Sequence, residues 1–437
     1  MLFIHARIIT MDHGMVIADG FIDTDGDTIR SIGDMSDLPD RALKDQVTDL
    51  QGAFVLPALI DAHSHLGVFN DSLNHEGDDG NESTDPVTPQ MRAIDGIYNA
   101  DVCFRESYEG GVGVVMTGPG SANVLGGQFA LLHTYEKTVE RALIMEPAAQ
   151  KAAFGENPKT VHGKENKTPC TRMGTAAVLR EALFKTREYG SRLDAYHRKM
   201  SDYEDAKEKG GEDIPDEPDM PDFDFQADSL LTVIRGELPL KIHAHRQDDI
   251  LTAVRIANEF GLSYSIEHCT EGFLIADVLA QEFLAGQAPG RGTGGRVVKG
   301  GKLLGVVVGP ILGDRSKPEL SELTIKSAGI LSNAGIPVSI MTDHPCVPEQ
   351  YLMLSAAIAV RGGMTEQDAL AAVTIRPAQL LGIEDRLGSL SPGKQADFAA
   401  YSGDPLDVRS YVKLFVGKGI IKYDPDSLSF QEDRRSM

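Results

Sequence analysis

Cysteine is scarce in this chain, with four residues at 103, 170, 269 and 346. None forms a CxxC pair, so no disulfide framework or cysteine metal knuckle is expected. Each Cys reads as a small buried residue; Cys269 and Cys346 stand out only because they neighbour motif residues. No run of about 18 apolar residues occurs, which argues against a membrane span. The start, MLFIHARIITMDHG, lacks the basic and apolar segments of a secretory signal, so a reducing cytoplasm is the expected location. Positive charge is also short: 42 Lys and Arg face 65 Asp and Glu, for a net charge of −23. Such a chain should repel nucleic acid and anionic lipid. A small-molecule substrate is the expected partner, and a homo-oligomer remains compatible with the sequence.

At 437 residues the chain exceeds one ordinary domain, so a large domain plus something smaller is expected. Residues 1–57 alternate apolar and polar positions between HG, DG and GD turns, the pattern of short strands. Residues 384–437 have the same character. Neither end is long enough for its own core, which predicts one small β-sandwich built from both. Between them, 58–383 alternates apolar strands (FVLPALIDAHSH, GVGVVMTGPG, LKIHAH, SYSIEHC, GKLLGVVVGP, PVSIMTDH) with amphipathic helical stretches. That alternation predicts an α/β fold, a parallel (β/α)₈ barrel of the TIM type. An open doubly wound sheet is the alternative, but no GxGxxG opens its first turn. Residues 181–226 interrupt the pattern: they begin as a helical stretch, and 201–225 carry 11 acids against two lysines. They read as a solvated surface excursion, with a lid or partner tail as the sharper alternative.

The chemistry concentrates at strand ends. Asp61-Ala62-His63-Ser64-His65 closes the apolar run FVLPALI. A strand's period of two sends His63 and His65 to one side, and a strand's carboxyl end in a barrel is the catalytic mouth. Imidazole is a common ligand for Zn²⁺ and related ions. His245 closes LKIHAH and His268 closes SYSIEH, one helix length apart. His243 shares the parity of His245 one layer deeper and reads as a hydrogen-bonded neighbour. Asp343 ends the last strand, where it can ligate a metal and accept a proton from the attacking water. His344 follows and faces the other way, as a neighbour of the metal site or a substrate contact. Gly118–Gln128 reads as a glycine-rich loop whose N–H groups, with Asn123 and Gln128, could meet a substrate carboxylate or phosphate. A loop shaped only for packing fits equally. Arg172 could clamp a carboxylate or form a surface ion pair.

These motifs together resemble the amidohydrolase superfamily, and within it the imidazolonepropionases and prolidase-type peptidases. PALIDAHSHLG is similar to the family's first-strand motif, IHAHRQ and IEHCTEG to its fifth- and sixth-strand histidines, and MTDHP to its eighth-strand aspartate. LGSLSPGKQADFAAYSGDPL resembles the segment that returns the chain to the small β-sandwich. The resemblance implies a divalent metal, zinc first, as one or two ions held by His63, His65, His245, His268 and Asp343. It also implies a bridging carboxylate from the fourth strand: a carbamylated Lys151, or Glu156, unless the site holds a single ion. A buried lysine is costly unless neutralised or paired, which suits carbamylation. The expected reaction is hydrolysis of a C–N bond in an amide, cyclic amide or peptide-like substrate, with Asp343 as catalytic acid–base. A ring deaminase on the same fold is the rival, and an inactive structural relative a weaker one.

Overall fold

The computed structural model describes residues 1–38, 46–71, 73–210, 214–287 and 300–427. Parts of three expected segments therefore lie outside the described residues: 39–45 of the first β-rich end, 211–213 of the acidic stretch and 428–437 of the last β-rich end.

The chain forms two eight-stranded sheets with helices packed mainly on one of them. The strands are β1 (Leu2–Ile9), β2 (Val16–Asp25), β3 (Thr28–Asp34), β4 (Val47–Asp49), β5 (Phe54–Pro57), β6 (Leu59–Ser64), β7 (Val112–Thr117), β8 (Leu125–His133), β9 (Leu143–Ala153), β10 (Leu240–Ala244), β11 (Ser263–His268), β12 (Lys302–Val308), β13 (Val338–Ile340), β14 (Phe398–Tyr401), β15 (Val412–Gly417) and β16 (Ile420–Tyr423). The first sheet runs β16-β15-β14-β5-β1-β2-β3, with β4 also on β1. Both ends of the chain thus share it. The joint is β5 against β14, antiparallel, from Pro57 opposite Phe398 to Phe54 opposite Tyr401. Its core draws on both halves, with Phe3 edge-on to Phe398 at 4.9 Å.

The second sheet runs β6 through β13 in chain order. Its last strand returns beside its first without a ladder between them, so the barrel is nearly closed. Hydrogen bonds span the seam: His65 N–H donates to the His344 carbonyl at 3.1 Å, and Thr342 N–H to Asp61 Oδ2 at 2.7 Å. β9 to β13 run parallel, as does β6 beside β7. β8 does not. It is antiparallel to both β7 and β9, which corrects the all-parallel expectation. The cause is connection length. Seven residues, 118–124, join β7 to β8, too few for a crossover helix, so the chain turns straight back.

The helices behave as their sequences predict. Gln247–Phe260 buries Ile250, Ala253, Val254 and Ala257 on one face and stops at Gly261, whose φ of 70° favours glycine. The acidic excursion begins as a 38-residue helix, Arg172–Lys209, capped by Thr171. Its buried residues end at Leu193, so the last 16 residues, about 24 Å of helix, bury no side chain fully.

The two sheets meet at a buried polar cluster. His133, at the end of β8, lies 3.6 Å from Asp397 and tilts against the Tyr135 ring at 4.9 Å. Burial, with Lys418, Arg386 and Lys422 nearby, pushes its pKa down to about 3. Above its ordinary 6.5 the ring is neutral in both folded and unfolded chains. As pH falls from 6.5 towards 3 only the unfolded chain gains the proton, so this residue withdraws stability over that window. Asp397, raised by burial, works in the opposite direction. In metal-stripped protein, His133→Gln should therefore flatten the fall in melting temperature between pH 6.5 and 4.5. An unchanged slope would exclude His133 as its source.

Candidate metal centre

Five of the expected side chains converge at the carboxyl ends of β6, β10, β11 and β13. His63 and His65 sit edge to face, 5.3 Å apart, and His63 lies 5.6 Å from His268. His245 and His268 are 4.5 Å apart. His268 reaches the site against its strand's alternation. Tyr264 and Ile266, of the same parity, belong to the outer core, while Glu267 turns inward to His63. The backbone breaks the alternation itself, with φ of 65° at His268 and 51° at Cys269. Asp343 also adopts a positive φ, 54°. Such conformations are uncommon in non-glycine residues and collect at functional sites.

Each imidazole is held through Nδ1. His63 contacts Glu267 at 2.7 Å, His65 the Gly118 carbonyl at 2.7 Å, His245 the Thr270 hydroxyl at 2.7 Å and His268 the Gly309 carbonyl at 3.0 Å. The carboxylate and the two carbonyls can only accept, which assigns the proton to Nδ1 of His63, His65 and His268 and leaves their Nε2 as lone-pair donors, while the Thr270 hydroxyl can donate or accept at His245. Burial disfavours the charged form of three of these rings: it drives His63 and His245 well below the usual histidine range and His268 down to about 4. Asp343 Oδ1 lies 3.3 Å from His65 Nε2 and 3.7 Å from His63 Nε2. Burial alone would raise this carboxyl; His268, His65 and His63 reverse that and hold it low. Two groups bring their donor atoms within 4.8 Å of one another: His63, His268 and Asp343, and His243, His245 and His268. Asp343 Oδ1 and His245 Nε2 are buried without a hydrogen bond. Buried imidazoles, a carboxylate and orphaned buried atoms make a donor set that fits a divalent cation.

Lys151 enters from β9 and is fully buried, its Nζ 3.3 Å from His63 Nε2. Burial lowers its pKa to about 8. Glu156 lies beyond, at the start of the helix Glu156–Lys164. Its side chain lines a polar cavity of about 360 Å³ with Ser121, Asn157 and Lys317. His243 has both ring nitrogens engaged, with Ser121 at 2.9 Å and Asn157 at 3.3 Å. His344 is buried beside Asp343 with neither nitrogen bonded, and burial pushes it down to about 4.

The remaining expected site residues are otherwise occupied. Asn123 is committed inside the protein: its amide donates to the Glu82 carbonyl and the Thr88 hydroxyl, and its oxygen faces His162 at 3.0 Å. Gln128 lies in β8 rather than in a loop, opposite Gln150. Arg172 shares its Nε–H between both carboxylate oxygens of Asp249 at 2.9 and 3.1 Å, the ion-pair alternative. A larger cavity, about 690 Å³, opens beside Pro119, Gly120 and Gly126, with Met91, Arg92 and Phe225 on its walls.

Residues that the motifs did not single out support the cluster. Lys241 pairs with Glu267 at 2.8 Å, and both Lys151 and Lys241 lie over the Phe129 ring. Asp61 accepts from Thr342 and from His63 N–H, and Glu349 from Ser64. Burial raises Asp61 to about 6 and Glu349 well above its usual range. Asp61, Lys241 and Glu267 stand beside motif histidines, so parity could have marked them. Glu349 arrives from a distant loop with no local signal.

The model of the amidohydrolase family matches residues 235–414. The solved amidohydrolase from Thermotoga maritima is 36% identical, with a TM-score of 0.82, covering 97% of this chain and 99% of its own. The amidohydrolase tasK of Hapsidospora irregularis is 28% identical over 85% of this chain, which spans only 36% of that protein's length. An imidazolonepropionase of Pseudomonas syringae is 24% identical over 98% of this chain and 99% of its own. The chain belongs to the amidohydrolase superfamily.

Proposed function

We propose that this protein is a metal-dependent hydrolase that cleaves a C–N bond, in an amide, cyclic amide or peptide-like substrate. The observation that carries the reading is the set of four buried imidazoles, each engaged through Nδ1, around the buried carboxylate of Asp343. In this reading 58–383 is a catalytic barrel of the TIM type. Residues 1–57 and 384–437 form the β-sandwich domain.

His63, His65, His245, His268 and Asp343 would hold the ion, zinc first among candidates, with Lys151 as the residue to carry a carbamate. When bound, the ion polarises the scissile carbonyl and lowers the pKa of water towards neutrality. Asp343 takes the proton of the attacking water and returns it to the leaving nitrogen. Glu267, itself held by Lys241 and Ser265, fixes the His63 ring.

The test is a panel of N-acyl amino acids, Xaa-Pro dipeptides and cyclic imides, alongside aminopyrimidines and aminopurines, assayed with metal-reconstituted protein. The expected result is a new carboxylate and amine from an amide, abolished by chelation and restored by Zn²⁺. Ammonia released from ring amines alone would replace this reading with a deaminase.

A further inference from the structure

A cavity of about 480 Å³ lies where the helices Val102–Glu109 and Leu352–Arg361 meet β14, β15 and β16. None of the residues that converge on the metal centre lines it. Tyr351, Tyr401, Tyr411 and Tyr423 stand on its walls among aliphatic side chains. Tyr351, Tyr411 and Val408 are 45, 62 and 75% exposed. One exposed large apolar side chain is ordinary, but three around a single concavity mark a binding groove. The charge is one-sided as well. Glu106, Glu109 and Asp407 line the cavity, and no Lys, Arg or His among the described residues does. Arg409 neutralises Asp407, and Arg105 stands 3.9 Å from Glu109. Glu106 accepts the Gln350 amide N–H at 3.1 Å and meets no cation among the described residues.

Walls and charge select the same chemistry. An aromatic face attracts a cation through its ring quadrupole, and the Glu106 carboxylate supplies the opposite charge. An anion would meet three carboxylates and no cation on the walls. An uncharged apolar molecule would cover the tyrosines but leave Glu106 without a counter-ion. We propose that this cavity is a binding site for a small protonated arylalkylamine, with its ring among the tyrosines and its ammonium at Glu106. The site is separate from the metal centre, and it does not depend on the hydrolase reading above. The competing explanation is a junction between helices and sheet that is imperfectly packed and holds no ligand.

The experiment is calorimetric titration of the full chain with phenethylammonium at neutral pH, with 2-phenylethanol and phenylacetate as the neutral and anionic counterparts. One phenethylammonium should bind per chain with a dissociation constant of about 1 mM or tighter. The alcohol and the acid should bind at least about 5-fold more weakly. Glu106→Gln and Tyr411→Ala should each weaken the amine by about 5- to 30-fold. Tyr411 is exposed, so its variant keeps the test open even if Glu106→Gln does not fold. Asp343→Asn should bind the amine as wild type does, which separates this cavity from the metal centre. No saturable binding, or equal binding of all three probes, would overturn the proposal. So would affinity that is lost in Asp343→Asn, or unchanged in both Glu106→Gln and Tyr411→Ala.

Discussion

Asp343→Asn should lower turnover by about 10²–10⁴-fold, the usual cost of removing a general base, while metal content falls far less. The substitution keeps the shape and one oxygen ligand but cannot take a proton. Asp343 Oδ1 already faces both His63 and His65. Once a substrate has been found, single-turnover rates and metal analysis on the same sample separate ligation from proton transfer. A variant with bound metal and near-normal turnover would remove Asp343 from the proton-transfer role. His344, buried beside it with both ring nitrogens unbonded, would be the next residue to test.

His63→Ala should do the opposite: metal and activity disappear together. His63 touches Glu267, Lys151 and Asp343 at once, so its loss removes a donor and also leaves the Glu267 carboxylate without its imidazole. Metal affinity should drop by more than the 10–100-fold typical of losing an outer-shell partner, and hydrolysis should fall to background. Circular dichroism controls for unfolding, because Lys241 and Ser265 still partner Glu267. Retained metal at wild-type affinity would move the ion away from His63.

The difference between what could be read and what could not follows how local the determinants are. His63, His65 and His245 were legible because a strand's period of two fixes their side once the strand is recognised. His268 was legible only as a strand end; by parity it belongs with Ile266, outside the barrel, and the left-handed backbone that turns it inward leaves no trace in apolar spacing. Leu125–Gln128 reads as loop because Gly126 and Gly127 are poor strand formers. The glycines are there for close approach: a Cβ on Gly127 would meet the Met91 carbonyl at 2.4 Å, and one on Gly126 the Lys151 stem at 3.2 Å. Arg172 carries no signal in sequence to separate a substrate clamp from a partner such as Asp249. Glu349 comes from a loop whose approach depends on the whole barrel.

The joint between β5 and β14 has a kinetic consequence. Pro57 and Phe398 are about 340 residues apart in the chain, so the earlier strands leave the ribosome long before their neighbour exists. At common synthesis rates of about 5–20 residues per second, that wait lasts roughly 17–70 seconds. Throughout it β5 presents an unpaired edge, a template for the wrong partner. Closure of this sheet is thus a late event in biogenesis, after the intervening barrel strands have been made. Nascent chains stalled before residue 398 should be the species most prone to aggregate and most dependent on chaperones.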